Sequence, residues 1–503
     1  ATTTTAFAAR FLNAELPAWY YCAAATVELC APIKREKSKR DPTKPDCRPV
    51  GKGEILPRLI NSTLVEDNKA EAHAALWPYN VGTATKDGCS ILALGMRLAT
   101  EQRPDFVLVN IDIKNAHNAI KRVAALMRLS QNEHVRHLTP AYWAQYGPKS
   151  RIYYRTRNRA VKLLDFLSEE AWRQGCPLAQ LGFNIAIDPE VRWLDAELAR
   201  LGGCARFNHD DGYAFGPVGA VFRLVEEFET RVYDALGLEL QLDKCACYSR
   251  NLDLENHSAR PEDKFPVSAA LRYRDGSETI AATKDAVDKH GVAIADVIGY
   301  GCVVAGVPIG DNEFVRVHVD ATVSSAEGKC KLVTAMLDGD CAHTLHTLNI
   351  RCLQPILTYW TMHVYPSDML RADGDGSNPC KRMDDALLEV AVKTTGASYL
   401  RDERLALRRL RLPAREKGGG LRSHESNAQA AFACTIAKVA PRLVRSKDEN
   451  GTVRTGFLER LAGEVFGTGH FDSDNQGDLQ WSGEGRFAEF LAPCDSLGLD
   501  DDD

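Results

Sequence analysis

Two strand patterns, far apart in the chain and each ending in aspartate, limit what this sequence can fold into. The apolar run FVLVNIDI, from Phe106, carries Asp112 near its end and passes straight into a helical pattern, KNAHNAI. Much later, CARFNHDDGYAFGP, from Cys204, reads as two short strands around a polar turn, with Asp210 and Asp211 side by side. A short apolar run bounded by turn residues is the pattern of a buried strand, and two such runs around a tight polar turn form a hairpin. Helical patterns surround both. The fold class expected is therefore α+β, with carboxylates gathered where strands end.

A lone strand-end carboxylate and an Asp–Asp turn are the parts that a two-metal phosphoryl-transfer site needs. Such a site holds two divalent cations about 4 Å apart with oxygen ligands. Mg²⁺ suits carboxylates and keeps positions open for substrate phosphates, and Mn²⁺ accepts the same ligands. Asp–Asp pairs are also common in exposed turns, so the neighbouring segments decide between the two readings.

Composition sets broad bounds. The chain has 503 residues, 45% hydrophobic and 26% charged, an ordinary globular balance. Its length suits roughly two to four domains. No apolar run approaches the ~20 residues that span a bilayer. The start, ATTTTAFAARFLNAEL, lacks Met and is rich in Thr and Ala, as in a processed or truncated terminus; a transit-peptide remnant would carry more Arg. The net charge of −6 is unlike the basic footprint of a nucleic-acid binder, but it hides asymmetry. The segment from Phe471 onward is acidic, whereas several internal segments are basic. The 15 cysteines are scattered without a CxxC, which points to reduced thiols in an intracellular compartment, nucleus or organelle. Cys341, His343 and His346 form a C-x-H-x-x-H cluster with no fourth ligand nearby, so it reads as incidental helical spacing rather than a zinc site.

The basic segments have two readings each. KREKSKRDPTKPDCR, residues 34–48, is a basic loop ending at Arg48. RIYYRTRNRAVK interleaves Tyr153 and Tyr154 with Arg151, Arg155, Arg157 and Arg159, which suits a strand with a basic face against phosphates and bases. A charged edge strand has the same pattern. RDERLALRRLRLPAREK places Arg404 and Arg408 on one helix face, either against a duplex backbone or simply in solvent. Helices are expected over 54–76, 84–102, 120–129 and from Val221 to near Gly237, and mainly helical structure over 314–445. QLDKCACY is expected as a short strand, 249–295 as a polar insertion with short elements, and GYGCVVAGVPIG as a strand ending in a turn. No repeats are present.

In order, the chain holds strand–Asp112–helix, the Gly–Pro loop RQGCPLAQLGFNIAI opening a helix, the Asp–Asp hairpin, and a helix followed by GLELQLDKC. That order describes a split βαβ arrangement. It resembles the reverse transcriptase family, most closely the reverse transcriptases of non-LTR retrotransposons. CRPVGKGEILPRL is similar to the family's fingers segment RPI-x-GE-x-x-x-RL, and NIDIKNAHNAI to its first palm motif D-x-x-N-A-F-N. QGCPLAQLGFNIAI resembles QG-x-P-x-x-P-LLF, FNHDDG sits where the family has (F/Y)-x-DD, and GLELQLDKC resembles GL-x-L-N-x-x-K. AGVPIG resembles the LG-V-P-IG turn, and LPAREKGGGLRS the thumb segment LP-x-x-x-GG-x-G-LR-S. The likeness runs from about Cys47 to Ile436, with no endonuclease or RNase H domain recognised.

The resemblance implies a polymerase right hand: N-terminal segment and fingers over 1–105, palm over 106–313 with the insertion near 249–295, helical thumb over 314–445, and a linker and acidic tail over 446–503. It implies an RNA-directed DNA polymerase, a nucleotidyltransferase that takes an RNA template, a DNA or RNA primer and dNTPs, with two Mg²⁺ ions. Asp112 and Asp210 would be metal ligands, with Asp211 the paired carboxylate, and the Ile113 carbonyl would help hold the nucleotide-bound metal. Arg48 and Lys52 would pair with the triphosphate, Gln174 and Gly175 would shape the nucleotide pocket, and Lys244 would lie near the leaving pyrophosphate.

The departures are specific. His117 stands where the family has the Phe or Tyr that excludes a 2′-hydroxyl, which bears on deoxy–ribo selectivity. Asn208 replaces the aromatic before the Asp–Asp pair, and His209, expected to be neutral at pH 7, lies between them. Gly182 replaces a Leu, Gln180 a Pro, and Lys417 a Gly. These departures and the acidic balance suit an alternative: a catalytically inactive, repurposed relative serving as a structural or RNA-binding subunit among protein assembly partners.

Overall fold

The computed structural model describes residues 2–30, 50–156, 158–261, 263–272, 278–281, 296–336, 341–372 and 376–444. Arg48 with the rest of the 34–48 loop, Arg157, parts of 249–295 and the acidic tail 446–503 lie outside the described residues. The architecture is α+β, in two units: Ala1–Cys89 with Val109–Cys245, and Ser90–Leu108 with Ala246–Asp503.

The first unit contains β1 (Val27–Cys30), β2 (Val50–Lys52), β3 (Phe106–Asp112, its residues from Val109 in this unit), β4 (Ser150–Arg155), β5 (Val161–Ser168), β6 (Cys204–Asn208) and β7 (Asp211–Pro217). One sheet runs β2-β1-β4-β5, with β1 antiparallel to β2 and parallel to β4, and β4–β5 a hairpin. The basic Arg/Tyr pattern is thus a strand, as its alternation predicts. The other sheet contains the order β6-β7-β3. β3 reads as a nearly continuous apolar run because successive residues are covered: Val107, Leu108 and Val109 are fully buried, as is Ile111, and so are Ala205, Phe207, Ala214 and Phe215 on β6 and β7.

Two helices back this second sheet. Helix Pro177–Arg200 starts as expected at the Gly–Pro loop, with Pro at its first turn, where a missing N–H costs nothing. It packs against β6 and against helix Val218–Leu236. The latter buries Val221, Leu224, Val225, Phe228, Val232 and Leu236, a helical spacing, and stops at Gly237 in the left-handed region, φ 69°. Gly182 now has a physical account. A Cβ there would lie 2.8 Å from Tyr142 and 3.1 Å from Trp172. These buried rings, with Tyr146, occupy the space into which a Leu would project; Trp172 meets Tyr146 edge-on at 4.7 Å and Tyr142 at 5.6 Å.

One expectation fails in part. QLDKCACY is not a continuous strand: Leu242–Lys244 is a 3₁₀ turn, and only Cys247–Tyr248 is extended. The bonds Lys244 N–H to Gln241 carbonyl (2.8 Å) and Cys245 N–H to Leu242 carbonyl (3.1 Å) use the backbone groups a ladder would need.

The second unit contains β8 (Cys247–Tyr248), β9 (Ala269–Arg272), β10 (Glu278–Ala281), β11 (Asp296–Val304) and β12 (Val307–Gly310). The sheet β10-β9-β11-β12 is antiparallel throughout. AGVPIG continues past the expected turn into a second strand. Ala305 (φ 48°) and Gly306 (φ 80°) form the two-residue turn, both left-handed, as tight hairpins require. The part of the insertion that is described therefore contributes two strands. Beyond it the unit is helical as expected. Helix Asn312–Met336 packs against helix Pro379–Thr395, burying Val319, Val323, Met383, Leu387 and Val390 in one core. Buried Asp384 caps the start of helix His424–Val444, accepting from the Ser423 hydroxyl (2.6 Å) and the His424 N–H (2.7 Å). Lys417 takes the left-handed conformation, φ 60°, at the position where the family pattern has Gly.

Candidate functional site

The tip of the β6–β7 hairpin is fixed from several sides. Asn208 pairs with Asp211, leaving His209 and Asp210 as the turn, with His209 at φ 60°. Gly212 faces Phe207 in the register, and a Cβ on it would fall 2.4 Å from the Phe207 ring. Only glycine fits there, which explains the DDG sequence. Outside β6, the segment Tyr79–Val81 adds two backbone bonds: Phe207 N–H to Tyr79 carbonyl and Val81 N–H to Phe207 carbonyl, both 2.8 Å. From that segment Asn80 reaches His209. Its amide donates to the His209 carbonyl (3.2 Å), and its oxygen accepts from the N–H groups of His209 (3.3 Å) and Gly82 (3.0 Å). Asn184, from helix Pro177–Arg200, donates to Thr83 (2.9 Å) and lies 3.2 Å from His209 Nδ1.

Asp112 ends β3, the strand next to β7. Sequence-distant carboxylates are therefore carried by neighbouring strands. The Asp112 N–H donates to Cys245 Sγ at 3.4 Å, and its carbonyl accepts from Gln241 N–H at 2.9 Å. Lys114 N–H donates to the Glu239 carbonyl (2.9 Å), and Ile113 faces Leu240 in an antiparallel bridge. Bonds on either side make Ile113–Leu240 a non-hydrogen-bonded pair, so the Ile113 carbonyl points away from residues 239–241.

His117 follows Asn115, itself left-handed at φ 50°, on the short helix Ala116–Ala119. Its ring lies 4.8 Å from that of Phe183, and its Nδ1 is buried without a hydrogen-bond partner. Burial lowers the pKa of His117, opposed by the charge of Asp210. Burial likewise lowers that of His209, with Asp210 raising it and His117 lowering it further. Both imidazoles are therefore biased toward the neutral form, and both sense the Asp210 carboxylate. Asn208, in the family's aromatic position, donates to Cys89 Sγ at 3.7 Å. Burial raises the Cys89 thiol, and Asp211 adds to the effect.

The Gly–Pro loop is joined to β2. Gly51 N–H donates to the Gln174 carbonyl at 3.0 Å. Gly175 has φ 98°, and a Cβ on it would sit 3.2 Å from the Gly51 carbonyl oxygen, so both conformation and space demand glycine. Gly51, Gly175, Arg58 and Arg173 line a cleft of about 330 Å³, a volume that includes its open mouth. Arg173 is already committed, donating to the carbonyls of Ala25 (2.9 Å) and Gln145 (2.8 Å).

The remaining expected residues are distributed. Lys52 is exposed at the end of β2, opposite Glu28. Arg151, Tyr153 and Arg155 lie on β4, with Arg155 paired to Glu28 at 3.2 Å, and Arg159 is in the β4–β5 turn. Lys244 Nζ bonds the Gln241 side chain. Arg404 and Arg408 occupy helix Arg404–Arg411 of the second unit, which buries none of its residues. Among the described residues, no three His, Cys, Asp or Glu side chains converge as a metal-binding group. The Asp112, Asp210 and Asp211 oxygens are nonetheless the hard donors Mg²⁺ takes, and that ion usually completes one or two carboxylates with water and substrate phosphates. Asn80, Thr83 and Asn184 had no signal in sequence, since a buried polar clamp leaves no periodicity.

No family model and no curated protein matches this chain. Among solved structures it is similar to apo telomerase from Candida tropicalis, with a TM-score of 0.39 and 10% identity over 83% of this chain and 67% of that one. It is also similar to telomerase from Candida albicans in complex with a TWJ fragment of telomeric RNA, with a TM-score of 0.37 and 9% identity over 82% and 64%. A C-terminally truncated apo telomerase from Candida tropicalis gives 0.34 and 8% over 47% and 52%. These likenesses are weak, and the chain spans about half to two thirds of the length of those telomerases.

Proposed function

We propose that this chain is an RNA-templated DNA polymerase of reverse-transcriptase type that joins dNTPs to a primer 3′-hydroxyl. One observation carries the reading: β3, ending in Asp112, and β7, opening with Asp211, are neighbours in one sheet although their sequences are far apart. The ordered motifs around them add support. In this reading the β6-β7-β3 sheet with its two backing helices is the palm, the β2-β1-β4-β5 sheet belongs to the fingers, and the later helices form the thumb.

Asp112, Asp210 and Asp211 would hold Mg²⁺, joined by the Ile113 carbonyl. The bound ions would supply activation of the 3′-hydroxyl and neutralisation of charge on the phosphoryl oxygens. The chain's own residues do the positioning. Lys52 and Arg48 would meet the triphosphate, and Lys244 the departing pyrophosphate. Gly175 lets the backbone approach the nucleotide closely, and Gln174 shapes the pocket beside it. His117 would face the sugar; imidazole is smaller than phenyl and can hydrogen-bond a hydroxyl, so discrimination against ribonucleotides is expected to be relaxed. Arg151, Tyr153, Arg155, Arg157 and Arg159 would track the nucleic-acid strand, and Arg404 and Arg408 a duplex backbone. An intracellular, reducing location accompanies this reading.

The test is extension of a DNA primer on an RNA template with Mg²⁺ and dNTPs, comparing the chain with Asp211→Asn. Extension by the parent and its loss in the variant support the proposal. RNA binding without extension under Mg²⁺ or Mn²⁺ would instead favour a repurposed RNA-binding subunit.

A further inference from the structure

The second unit contains a cleft lined by an interior cation that, among the described residues, no carboxylate contacts directly. Arg97, on helix Gly88–Gln102, is 6% exposed. Its guanidinium stacks 4.6 Å over the Tyr365 ring, and among the described residues it makes no hydrogen bond or ion pair. Asp368 attracts it from beyond ion-pair distance, which offsets only part of the solvation lost on burial. The stacked face accounts for one side of the group. The edges, which carry its five donors, remain, and they line a cleft of about 490 Å³, a volume that includes the solvent at its open mouth.

The rest of the lining shows what would fit. Tyr248 is 2% exposed, and among the described residues its hydroxyl makes no hydrogen bond. Arg250 is exposed at the rim, and Asn312 opens helix Asn312–Met336, whose positive end favours an anion. Two carboxylates also line the cleft: Glu101, which accepts from the Tyr365 hydroxyl at 2.9 Å, and Asp368, which is not within ion-pair reach of Arg97. A guanidinium fork matches a phosphate or carboxylate. A bare dianion, however, would be repelled by Glu101 and Asp368. An anion that brings its own hydroxyl donors satisfies both sets of groups.

We propose that this cleft binds a ribose 5-phosphate monoester, its phosphate on Arg97 and Tyr248 with Arg250 at the entrance, and its hydroxyls toward Glu101 and Asp368. The same chemistry occurs in a free sugar phosphate and in the 5′-phosphorylated end of an RNA. The site uses none of the three aspartates, and its occupancy does not depend on polymerase activity.

Titration calorimetry of the full chain with ribose 5-phosphate tests it, with ribose and orthophosphate as comparisons. Saturable binding is expected, weaker for orthophosphate and absent for ribose. Arg97→Lys should weaken it about tenfold or more, by loss of the fork. Because Arg97 is buried, two further variants keep the test independent of folding: Arg250→Ala at the rim and Tyr248→Phe, each expected to weaken binding severalfold while the melting temperature holds. Displacement by a 5′-phosphorylated RNA oligonucleotide, but not by its 5′-hydroxyl twin, would assign the ligand to an RNA end; displacement by neither would assign it to a free sugar phosphate. The proposal is overturned if the parent chain does not bind ribose 5-phosphate, if orthophosphate binds as tightly, or if Arg250→Ala and Tyr248→Phe, still folded, bind it unchanged.

Discussion

Asn80 satisfies both backbone polar groups of His209: its amide donates to the His209 carbonyl at 3.2 Å and its oxygen accepts from the His209 N–H at 3.3 Å. His209 precedes Asp210 in the hairpin turn and sits at φ 60°, so it needs external support to hold that conformation. Asn80 is buried, 1% exposed. Asn80→Ala would strand three backbone groups, counting the Gly82 N–H, and should cost about 1–3 kcal/mol in stability. If Asn80 also positions Asp210, nucleotide incorporation per folded molecule should fall by roughly tenfold, on the scale of about 1.4 kcal/mol per decade. Asn80→Asp, which keeps the acceptor and loses the donor, should lie between. Urea unfolding and single-turnover incorporation separate the two effects; lost stability with an unchanged rate would leave Asn80 a purely structural residue.

Gly182 is closed off by Tyr142 and Trp172. A Leu at this position should therefore destabilise the fold, by about 1–3 kcal/mol or more, because rings that are fully buried have nowhere to move. Gly182→Ala should cost less, since its helix gains propensity while only one methyl must be accommodated. Chemical denaturation ranks them. A Leu variant as stable as the parent would show that the aromatic cluster does not fill this space.

Lys417 has the opposite expectation. A non-glycine residue at φ 60° bears strain of about 1 kcal/mol that glycine does not. Lys417→Gly should raise stability by about that amount, offset in part by added freedom in the unfolded chain. The midpoint of urea unfolding should move up; a downward shift would mean the Lys417 side chain stabilises the fold by more than its backbone strain costs.

Asp188 predicts a pH dependence. Burial raises its carboxyl to about 6 from 3.8, opposed by the ion pair with Arg192 and reinforced by Glu190. The folded pKa is above the unfolded one, so the folded state binds this proton more tightly. Its contribution to stability is complete below pH about 3.8 and is lost as pH rises through about 6. The parent should therefore lose stability relative to Asp188→Asn across that window, and the difference should level off above it. Unfolding free energies of both proteins at several pH values test this; a difference that stays flat across the window contradicts it.

Much of the frame was legible because it follows local periodicity. The buried run to Asp112, the hairpin around Asp210 and Asp211, and the helix that stops at Gly237 each carry their own signal. QLDKCACY misled because its apolar and polar residues alternate like a strand, while 3₁₀ bonds among Gln241, Leu242, Lys244 and Cys245 consume the backbone groups. Asn80 and Arg97 could not be found at all. Each is a polar residue in a segment where pattern reading assigns polar residues to the surface, and each is buried by elements remote in sequence. Lys417 and Gly182 registered as departures from a family pattern, but their meaning lay in a backbone angle and in two neighbouring rings.

The most direct test of the polymerase reading is single-nucleotide incorporation opposite an RNA template, measured in parallel for the parent chain, Asp112→Asn and Asp210→Asn. The account predicts Mg²⁺-dependent incorporation by the parent and a fall of about a thousandfold or more in each variant, with RNA binding retained, as expected when charge stabilisation at the phosphoryl group is removed. A folded parent chain that binds RNA yet incorporates nothing, or variants that incorporate as fast as the parent, would contradict it.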